Sequence, residues 1–527
     1  MANEVDAARV RPTEVALLLS VFVVAACGLV YELAAGALAS YLLGDSILQF
    51  STIIGTYLFA MGIGSYLSRF FERQLIAHFL RIELLVGVVG GLMPAALFAL
   101  HATATPSFRF ALYAMVLLVG VLVGLEIPLV MRILQSQLRG DRRAPSDPHK
   151  SARHGLKNLV SQVLTFDYLG ALAVSIAFPL LLVPHLGLIR TGVLFGLLNV
   201  GVACWALWLF RSQLRAHASH TAACVFSAAA LLAVGLGSDQ ITTWAEDQFY
   251  ADNVLLSETS PYQRVVVTSG KAGVRLFLNG NLQFHSRDEY RYHEALVHPA
   301  MAGHGAPKKV LVMGGGDGMA VREVLKYASV EEVTLVELDP HMTKLFSEVP
   351  LMRKLNADAL RSPKLRIVNA DAFAWLESHA GSFDVIVVDF PDPTNFSIGK
   401  LYTSTFYKLL DEHLSASGYA VIQTTSPLVA RRSFWTVATT VEAVGLSATP
   451  YHAHVPSFGE WGFIVASRRP YRAPTVLPEG LRFLNLDGLP ALFNFPPDMA
   501  RLPTDVNRLS NQVLVQTFEA EWGKVNP

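Results

Sequence analysis

The amino-acid sequence predicts two structural classes in one chain, an all-α polytopic membrane bundle followed by an α/β domain. First, only 16% of the 527 residues are charged, and the deficit is concentrated before residue 240, whereas soluble domains have about 25%. Second, several apolar stretches in that half are each long enough to cross a bilayer as a helix. Third, the chain after residue 240 alternates short apolar strands with helical segments, which is typical of a doubly wound, mostly parallel sheet.

The predicted spans occupy most of residues 1–240. About seven are expected, at 14–40, 49–70, 82–103, 109–133, 160–183, 190–210 and 219–237. The first stretch is too long, and too closely followed by others, for a cleaved signal peptide. We therefore expect a multi-pass protein of the cell (inner) membrane, with the lipid bilayer as a partner of this half.

Three acidic residues, Glu32, Glu126 and Asp167, lie inside the predicted spans. A carboxylate at membrane depth costs at least about 2.5 kcal/mol on insertion scales, so each is expected to face the bundle interior, a cavity or a partner. A cation-binding site or path is one interpretation, and hydrogen bonding to Tyr31, Tyr168 or neighbouring helices is the other. Small residues are expected at close helix contacts, namely Gly55, Gly62, Gly64, Gly87, Gly90 and Gly91.

A strand, a glycine turn, a helix and a second strand follow one another between Lys308 and Pro340. The strand 310–313 leads into GGGDG at 314–318, a helix is predicted over 320–327, and the strand 333–337 ends at Glu337. Glycines let the backbone approach a ligand at the helix N-terminus, and an acid ending the second strand can accept hydrogen bonds from a ribose diol. This unit predicts a Rossmann-like nucleoside site.

The rest of the second half divides around this unit. Residues 241–290 alternate apolar and polar residues around the turn Asn279-Gly280, which predicts a small antiparallel β-domain. Residues 291–470 form the predicted Rossmann-like domain, with further strands at 365–371, 383–390 and 418–425 and helices at about 372–379 and 401–413. The proline-rich remainder, 471–527, is predicted to be irregular and to act as a cap or docking segment.

Acidic side chains follow the predicted strands. Asp317, Glu337, Asp371 and Asp389 each come at a strand end, and Asp392 follows Asp389 in a proline turn; ligands of such sheets bind at this edge. Four or five carboxylates around one cleft repel each other unless the ligand is cationic. We therefore expect a sulfonium with a protonated aminopropyl arm and a second amine, rather than the carboxylate-bearing donor of a methyltransferase. For Asp392 taken alone, a turn or helix-capping role is the alternative.

Together these motifs resemble the spermidine synthase (polyamine aminopropyltransferase) family across about residues 255–470. The motifs, in the family's order, are SPYQR, DEYRYHE, GGGDG, VELDP, NADAF and DFPDP. The resemblance implies transfer of an aminopropyl group from decarboxylated S-adenosylmethionine to an amine such as putrescine, with release of methylthioadenosine and without a metal or other cofactor. Dimers or tetramers are common in the family, so a homo-oligomer is a further expectation.

The resemblance also implies a role for each matching residue. Asp389 is the expected general base that removes a proton from the acceptor amine. The glycines expected to line the donor are Gly314, Gly315 and Gly316. The expected substrate contacts are Gln263 and Asp317 for the aminopropyl arm, Glu337 for the ribose, Asp371 for the adenine, Tyr292 and His293 on the acceptor side, and Asp392 and Gln423 for the amine.

Several positions depart from the family pattern. Soluble members have two small hydroxyl residues between the paired acids, where this chain has Phe390-Pro391, and a GPA-like stretch where it has Thr394-Asn395-Phe396. The acceptor-contacting tyrosine of the family is Val455 here. Because the donor side matches better than the acceptor side, putrescine is only the default acceptor. The membrane half has no counterpart in the soluble enzymes.

The side of the membrane that the second half occupies is left open by the sequence. The loop after the fourth span is basic, and so are the loops after the second and sixth, which the positive-inside rule places in the cytoplasm; the residues of the first loop are Arg139, Arg142, Arg143, Lys150, Arg153 and Lys157. With seven spans this rule puts the α/β half outside. Adenosyl cosubstrates favour the cytosol instead, so a miscounted or re-entrant span competes with an outward-facing domain.

A polyamine transporter or sensor that binds an adenosyl ligand without turnover is the main rival function. Intact Asp389 and Asp392 favour the enzyme, whereas the acids inside the spans keep the rival open. The sequence has no basic stripe with interleaved aromatics, so nothing points to nucleic acid. Its three cysteines lie in apolar segments, which argues against a disulfide framework or a cysteine-rich metal site.

Overall fold

The computed structural model describes residues 12–43, 46–103, 105–140, 148–214, 217–250 and 252–524. The chain divides into two units, Met1–Ala251 and Asp252–Pro527, which we call the helical unit and the α/β unit. Of the basic residues predicted in the loop after the fourth span, Arg142 and Arg143 lie outside the described residues, and the other four lie on helices.

Eight α-helices make up most of the described part of the helical unit. They are α1 (Pro12–Leu43), α2 (Ser46–Leu67), α3 (Leu75–Thr103), α4 (Thr105–Gly140), α5 (Pro148–Ala177), α6 (Val183–Leu209), α7 (His217–Leu236) and α8 (Ser238–Phe249). Short 3₁₀ turns follow α2 and α6, and a π-helical turn, Phe178–Leu182, links α5 to α6. The three cysteines, which are free, all lie on these helices.

Six stretches of the described residues are long and apolar enough to cross a membrane: Leu18–Ser40, Leu48–Phe70, Leu75–Thr103, Ser107–Ser136, Val160–Leu209 and His217–Leu236. About seven spans were predicted, and the fifth and sixth of them lie in one helical run of 50 residues, Val160–Leu209. At about 1.5 Å per residue this run would be about 75 Å long if straight. Gly187 (φ 74°, ψ 173°) breaks the helical geometry within it.

Glycines allow pairs of these helices to approach closely. A Cβ atom on Gly64 of α2 would lie 2.0 Å from the carbonyl oxygen of Val121 in α4. One on Gly87 of α3 would lie 2.8 Å from the carbonyl oxygen of Gly196 in α6. Any side chain at these positions would push the backbones apart. The predicted close packing is found at Gly64, Gly87, Gly90 and Gly91, but it is wrong for Gly55 and Gly62, which would have no atom within 4 Å of an added Cβ.

A four-stranded antiparallel sheet begins the α/β unit. Its strands, in sequence and spatial order, are β1 (Asn253–Thr259), β2 (Arg264–Gly270), β3 (Gly273–Leu278) and β4 (Asn281–His285). Asn279 and Gly280 both have positive φ at the β3–β4 turn, as the Asn-Gly pair predicts. The predicted start near residue 241 is corrected, because 238–249 form α8, with Asp239 in its first turn and Ile241 and Ala245 one helical turn apart.

A seven-stranded sheet forms the centre of the α/β unit. Its strands are β5 (Lys309–Gly314), β6 (Glu332–Glu337), β7 (Leu365–Asn369), β8 (Phe383–Asp389), β9 (Leu414–Gln423), β10 (Ser447–Val455) and β11 (Gly459–Ser467), in the spatial order β10-β11-β9-β8-β5-β6-β7. Strands β5 to β9 are parallel, and the hairpin β10–β11 joins β9 antiparallel. The predicted mostly parallel Rossmann-like sheet is confirmed. The hairpin at its edge was not predicted.

Helices and turns connect these strands. The α-helices are α9 (Glu289–His304), α10 (Met319–Val324), α11 (Pro340–Glu348), α12 (Pro350–Leu355), α13 (Ala372–Ser378), α14 (Phe396–Gly399), α15 (Ser404–Glu412), α16 (Arg431–Glu442) and α17 (Val513–Trp522). Apolar residues of β5, β6, β8 and β9 are buried against the helices on both faces of the sheet, as expected for parallel strands.

The segment after residue 470 lies along the α/β unit. Glu294 of α9 accepts hydrogen bonds from the backbone N–H groups of Arg482, Phe483 and Leu484 at 2.8–3.0 Å. Trp435 donates its indole N–H to the carbonyl oxygen of Met499 at 3.0 Å. The segment is irregular except for a 3₁₀ turn, Leu489–Phe493, and α17, so the prediction that it lacks regular structure is wrong at its C-terminal end.

Candidate active site

The chain reverses its direction of winding between β5 and β8, which are neighbours in the sheet. Gly314, at the end of β5, pairs with Asp389, at the end of β8. A Cβ atom on Gly314 (φ 76°) would lie 2.2 Å from the Asp389 carbonyl oxygen, and one on Gly315 (φ 65°) would lie 2.9 Å from Asp389 Oδ2. Both positions therefore require glycine. Such a switch point is where open α/β sheets bind their ligands.

Glu337, at the end of β6, also contacts the glycine turn. Its Oε2 accepts the Gly316 N–H at 3.1 Å, and its Oε1 accepts the Asp339 N–H at 2.9 Å. Burial raises the pKa of Glu337 to about 7, although these two hydrogen bonds act in the opposite direction. Because each oxygen has a second lone pair, the carboxylate retains the capacity to accept further hydrogen bonds.

Asp317 lies at the start of α10 and is 9% exposed. Its Oδ1 accepts the Met319 N–H at 2.9 Å, and Asn356 donates a side-chain N–H to the Asp317 carbonyl oxygen at 2.9 Å. Burial raises the pKa of Asp317, while the charge of His293 and the Met319 hydrogen bond act against this rise.

Asp389 is held by the phenol of Tyr292 on α9. The Tyr292 hydroxyl donates to Asp389 Oδ1 at 2.6 Å. Burial raises the pKa of Asp389 to about 6, and the nearby Asp317 adds to this effect, whereas His293 and the Tyr292 hydrogen bond oppose it. A carboxylate with this pKa is largely ionised at neutral pH but remains a much better proton acceptor than an ordinary aspartate.

His293 introduces a positive charge beside the acids. Its Nδ1 lies 2.8 Å from Glu289 Oε2, and Glu289 also receives two hydrogen bonds from the Arg322 guanidinium at 2.9 and 3.0 Å. Burial disfavours the imidazolium, but the hydrogen bond and charge of Glu289, aided by Asp317 and Asp389, raise the pKa of His293 to about 9. This charge partly offsets the repulsion between the site's carboxylates.

Asp392 follows β8 after one turn. Burial raises the pKa of Asp392 to about 7, against the opposing effect of the Gln423 amide. Its Oδ1 is buried without a hydrogen-bond donor among the described residues. Gln423 is fixed by Trp461, which donates to its Oε1 at 3.1 Å, and by Tyr402, which accepts from its Nε2 at 3.1 Å. A buried acceptor without a donor is suited to an N–H group of a ligand.

Gln263 reaches this edge from the loop before β2. Its Nε2 donates to Asp339 Oδ2 at 3.0 Å, and the Ser260 hydroxyl donates to the same oxygen at 2.7 Å. Asp339 also caps α11 by accepting the His341 N–H at 3.0 Å. Asp339 was not among the predicted site residues, although an aspartate before proline at a helix start is a recognisable signal.

Asp371 is placed differently from the other acids. Its Oδ1 caps α13 by accepting the N–H groups of Phe373 and Ala374, and its Oδ2 pairs with Lys400 Nζ at 2.6 Å. Burial acts upward, but the Lys400 hydrogen bond and the cap lower the pKa of Asp371. It is thus a helix cap with a cation partner, and only its remaining lone pairs are available to an adenine amino group.

The three predicted membrane acids lie in the helical unit, on α1, α4 and α5. Glu126 is fully buried, whereas Glu32 and Asp167 are only partly buried. Glu83 on α3 is also fully buried and was missed. Among the described residues, no three or more His, Cys, Asp or Glu side chains form a group that could hold a metal ion.

Comparisons with known proteins agree with this geometry. Residues 289–476 match the Spermine/spermidine synthase domain. Polyamine aminopropyltransferase 2 of Ralstonia nicotianae is 54% identical over 513 residues, which are 96% of this chain and 98% of that protein. The polyamine aminopropyltransferase of Leptospira interrogans is 48% identical over 512 residues, 97% of this chain and 99% of that protein.

A solved structure of spermidine synthase in complex with the transition state analogue AdoDATO is 29% identical, with a TM-score of 0.42; the match covers 46% of this chain and 85% of that one. The two relatives are similar over nearly their whole length, which includes the helical unit as well as the α/β unit. This chain belongs to the polyamine aminopropyltransferase family.

Proposed function

We propose that this protein transfers the aminopropyl group of decarboxylated S-adenosylmethionine to an amine acceptor and releases methylthioadenosine. The observation that carries the proposal is Asp389, a buried carboxylate with a pKa raised to about 6, held by Tyr292 at 2.6 Å. Asp317, Glu337 and Asp392 surround the same strand edge. This constellation suits two cationic substrates and a proton acceptor between them.

In the proposed reaction the acceptor ammonium gives one proton to Asp389, which leaves a neutral nitrogen. That nitrogen attacks the aminopropyl carbon bonded to the sulfonium, so a C–N bond forms while the C–S bond breaks. The electron pair of the broken bond stays on sulfur, which becomes the neutral thioether of methylthioadenosine. General-base catalysis of this kind contributes about 10²–10⁴ in rate, and alignment of nitrogen and carbon contributes through proximity.

The donor would occupy the edge formed by the glycine turn. Glu337 is proposed to bind the ribose diol, Asp371 the adenine amino group, and Gln263 and Asp317 the aminopropyl ammonium. Gly314, Gly315 and Gly316 allow the backbone to approach the nucleoside. Asp317 also disfavours S-adenosylmethionine itself, because the carboxylate of that donor would lie near a second negative charge.

The acceptor would lie beside Asp389 and Asp392. The unpartnered Asp392 Oδ1 is proposed to accept from the amine, with Gln423 and His293 beside it. The rings of Phe458 and Tyr292 lie 6.0 Å apart, and Phe458 also contacts Trp461 at 5.2 Å. Aromatic rings here provide an apolar wall for the methylene chain of a diamine, and cation–π attraction for its charged end. Putrescine is the first acceptor to test.

The test is methylthioadenosine release by the purified full-length protein with a panel of diamines and triamines. We expect turnover with decarboxylated S-adenosylmethionine and none with S-adenosylmethionine, and the preferred amine names the product. The Asp389→Asn variant shows whether turnover belongs to this site, and Asp358→Asn, at an exposed carboxylate, is its matched control. Donor binding without turnover on any amine would overturn the enzyme proposal and favour a transporter or sensor.

The helical unit is proposed to span the cell membrane, since six of its stretches have suitable length and composition. The 50-residue run Val160–Leu209 has the length for one crossing or for two, so the side of the α/β unit is proposed from its cosubstrate instead: adenosyl cosubstrates are made in the cytosol, which places this unit there. A Lys271→Cys variant in a Cys204→Ser background tests this. A membrane-impermeant maleimide should label the Lys271→Cys variant in permeabilised cells but not in intact cells. Labelling in intact cells would place the α/β unit outside. The homo-oligomer stays a prediction.

A further inference from the structure

Two glutamates in the interior of the helical unit have no hydrogen-bond donor among the residues that the structure describes. Glu83 on α3 and Glu126 on α4 are both 0% exposed, and both oxygens of each carboxyl group are without a partner among the described residues. The negative charges of Glu83 and Asp167 both act on the carboxyl group of Glu126. The two glutamates therefore repel each other when ionised, and in a buried position this repulsion is screened less than at the surface.

Two neutral polar side chains on the neighbouring helices α1 and α6 are also buried without hydrogen-bond partners among the described residues. Tyr31 on α1 is 1% exposed, its hydroxyl has no partner among the described residues, and it interacts electrostatically with both glutamates. Asn199 on α6 is 0% exposed, and neither its amide oxygen nor its amide nitrogen has a partner in the part of the chain that the structure describes. Its Cβ lies 3.1 Å from the position of an added Cβ on Gly87, one helical turn after Glu83. We call these four residues the buried polar cluster.

Native proteins satisfy nearly all of their buried polar groups, and an unsatisfied one calls for an explanation such as a bound ion. Two adjacent buried carboxyl groups are least costly when they share one negative charge, with one of them protonated. A single positive charge then neutralises the pair. Carboxylate, phenol and amide oxygens are hard ligands, which favour alkali and alkaline-earth cations over softer metals.

The space around the buried polar cluster favours a small occupant. An added Cβ on Gly87 would lie 2.8 Å from the Gly196 carbonyl oxygen, and one on Gly90 would lie 2.8 Å from ring carbons of Tyr31. Helices packed this closely leave no room for the methylene chain of a polyamine. Mg²⁺ retains several waters and Ca²⁺ takes six to eight oxygen ligands, so a dehydrated monovalent ion fits better.

We propose that Glu83 and Glu126, with Tyr31 and Asn199, form an occluded binding site for one alkali cation of about the size of Na⁺. The site is independent of the aminopropyl transfer proposed above. Glu126 was predicted from the sequence as a cation-binding candidate, as were Glu32 and Asp167, whereas Glu83, Tyr31 and Asn199 were not.

Thermal unfolding of the purified full-length protein in detergent tests the proposal. We compare 150 mM NaCl, KCl and choline chloride at one pH, and expect NaCl to raise the Tm by about 2–4 °C over choline chloride. Glu83→Gln and Glu126→Gln remove charge but little volume, and both should abolish the Na⁺-dependent shift. Glu72→Gln, at an exposed acid of the same unit, is the matched control and should retain it.

Binding of ²²Na⁺ at equilibrium gives a second measurement that does not depend on the stability of the variants. We expect one ion per chain, none in Glu126→Gln, and three- to tenfold weaker binding in Tyr31→Phe, which keeps the ring over Gly90. Equal Tm values in NaCl and choline chloride would overturn the proposal, and so would an undiminished shift in both glutamine variants. Stabilisation by Ca²⁺ or Mg²⁺ alone, or by low pH alone, would also contradict it.

Discussion

Two buried carboxylates of the α/β unit, Glu323 and Glu294, are surrounded by donors, whereas those of the buried polar cluster in the helical unit have none among the described residues. Glu323 on α10, 1% exposed, is bound by His298, Arg322 and Lys326 at 2.6–3.0 Å. Glu294 accepts three backbone N–H groups. Glu83, equally buried, accepts no hydrogen bond from the described residues.

The difference distinguishes carboxylates that stabilise the fold through hydrogen bonds from carboxylates that are free to bind a ligand. An acid whose oxygens are already paired contributes stability and loses it when its charge is removed. An acid without donors contributes little to stability and gains its partner from outside the fold. In the candidate active site, Oδ1 of Asp392 is of the second kind, since it has no donor among the described residues. The distinction can be tested by making the same acid-to-amide change at both kinds of site.

The largest effect is expected on the rate at Asp389. Asp389→Asn removes the proton acceptor while leaving the Tyr292 contact geometrically possible, so kcat should fall by about 10²–10⁴. Methylthioadenosine release at saturating substrates measures it. Asp358→Asn should keep the activity of the unchanged protein. A kcat within threefold of that of the unchanged protein in Asp389→Asn would mean that the base lies elsewhere.

The two units should differ most in how an acid-to-amide change affects the free energy of unfolding. Glu323→Gln leaves buried cationic partners without their anion and should cost about 3 kcal/mol, which lowers the Tm by about 6–10 °C for a unit of this size. Glu83→Gln removes an uncompensated buried acid, so in Na⁺-free buffer its Tm should be equal to or higher than that of the unchanged protein. Thermal unfolding of both variants side by side is the measurement. Equal losses at both positions would remove the distinction drawn between the units.

The stability that Glu323 contributes should decrease as the pH falls. The pairing of Glu323 lowers its pKa well below the ordinary value, so its contribution is present at neutral pH and is lost only as the pH falls through the acidic range. The Tm difference between Glu323→Gln and the unchanged protein should therefore narrow in acid.

Much of the α/β unit follows from local sequence signals. The apolar runs at 310–313 and 383–390 predict β5 and β8, and the glycine turn predicts the approach of the backbone to a ligand. The hairpin β10–β11 and the helix α17 were missed, although β10 alternates apolar and polar residues from Tyr451 to Val455. The capping of α13 by Asp371 was visible as an aspartate before a helix, whereas its pairing with Lys400, 29 residues later, depends on tertiary folding.

The acids of the helical unit show where prediction from the sequence failed because a helix boundary was misplaced. The third span was predicted to begin at residue 82, which placed Glu83 at a helix end where an acid needs no explanation. The helix α3 begins at Leu75, so Glu83 lies two turns inside it. Which acids meet was equally beyond the sequence, since it depends on how α1, α3, α4 and α6 pack.

A smaller effect is expected in the pH profile of the reaction. Burial raises the pKa of Asp389 to about 6 and the pKa values of Glu337 and Asp392 to about 7, so kcat/KM should begin to fall near pH 7 and should fall by at least tenfold per pH unit below pH 6. Tyr292→Phe removes a hydrogen bond that stabilises the carboxylate, so the acidic limb should move to higher pH. Profiles of kcat/KM between pH 5 and 8 for both proteins check this. An acidic limb that stayed in place, or moved lower, would mean that Tyr292 does not stabilise the charged base.

The smallest effect is expected at the pair of Asp371 and Lys400. Their side chains are 36% and 34% exposed, and ion pairs with such exposure contribute about 0–1 kcal/mol. Lys400→Met should therefore change the free energy of unfolding by less than about 1 kcal/mol, in contrast to Glu323→Gln. Asp371→Asn should be as stable, because asparagine caps helices as well as aspartate does.

These two variants should nevertheless differ in donor binding. If Asp371 binds the adenine amino group, replacing its carboxylate by an amide weakens a charge-assisted hydrogen bond, and KM for decarboxylated S-adenosylmethionine should rise about five- to tenfold. Lys400→Met leaves the carboxylate in place and frees Oδ2, so its KM should stay within about threefold of the original. If both variants kept the original KM, Asp371 would be a helix cap alone, and the adenine would have to be recognised by backbone groups of the same strand edge.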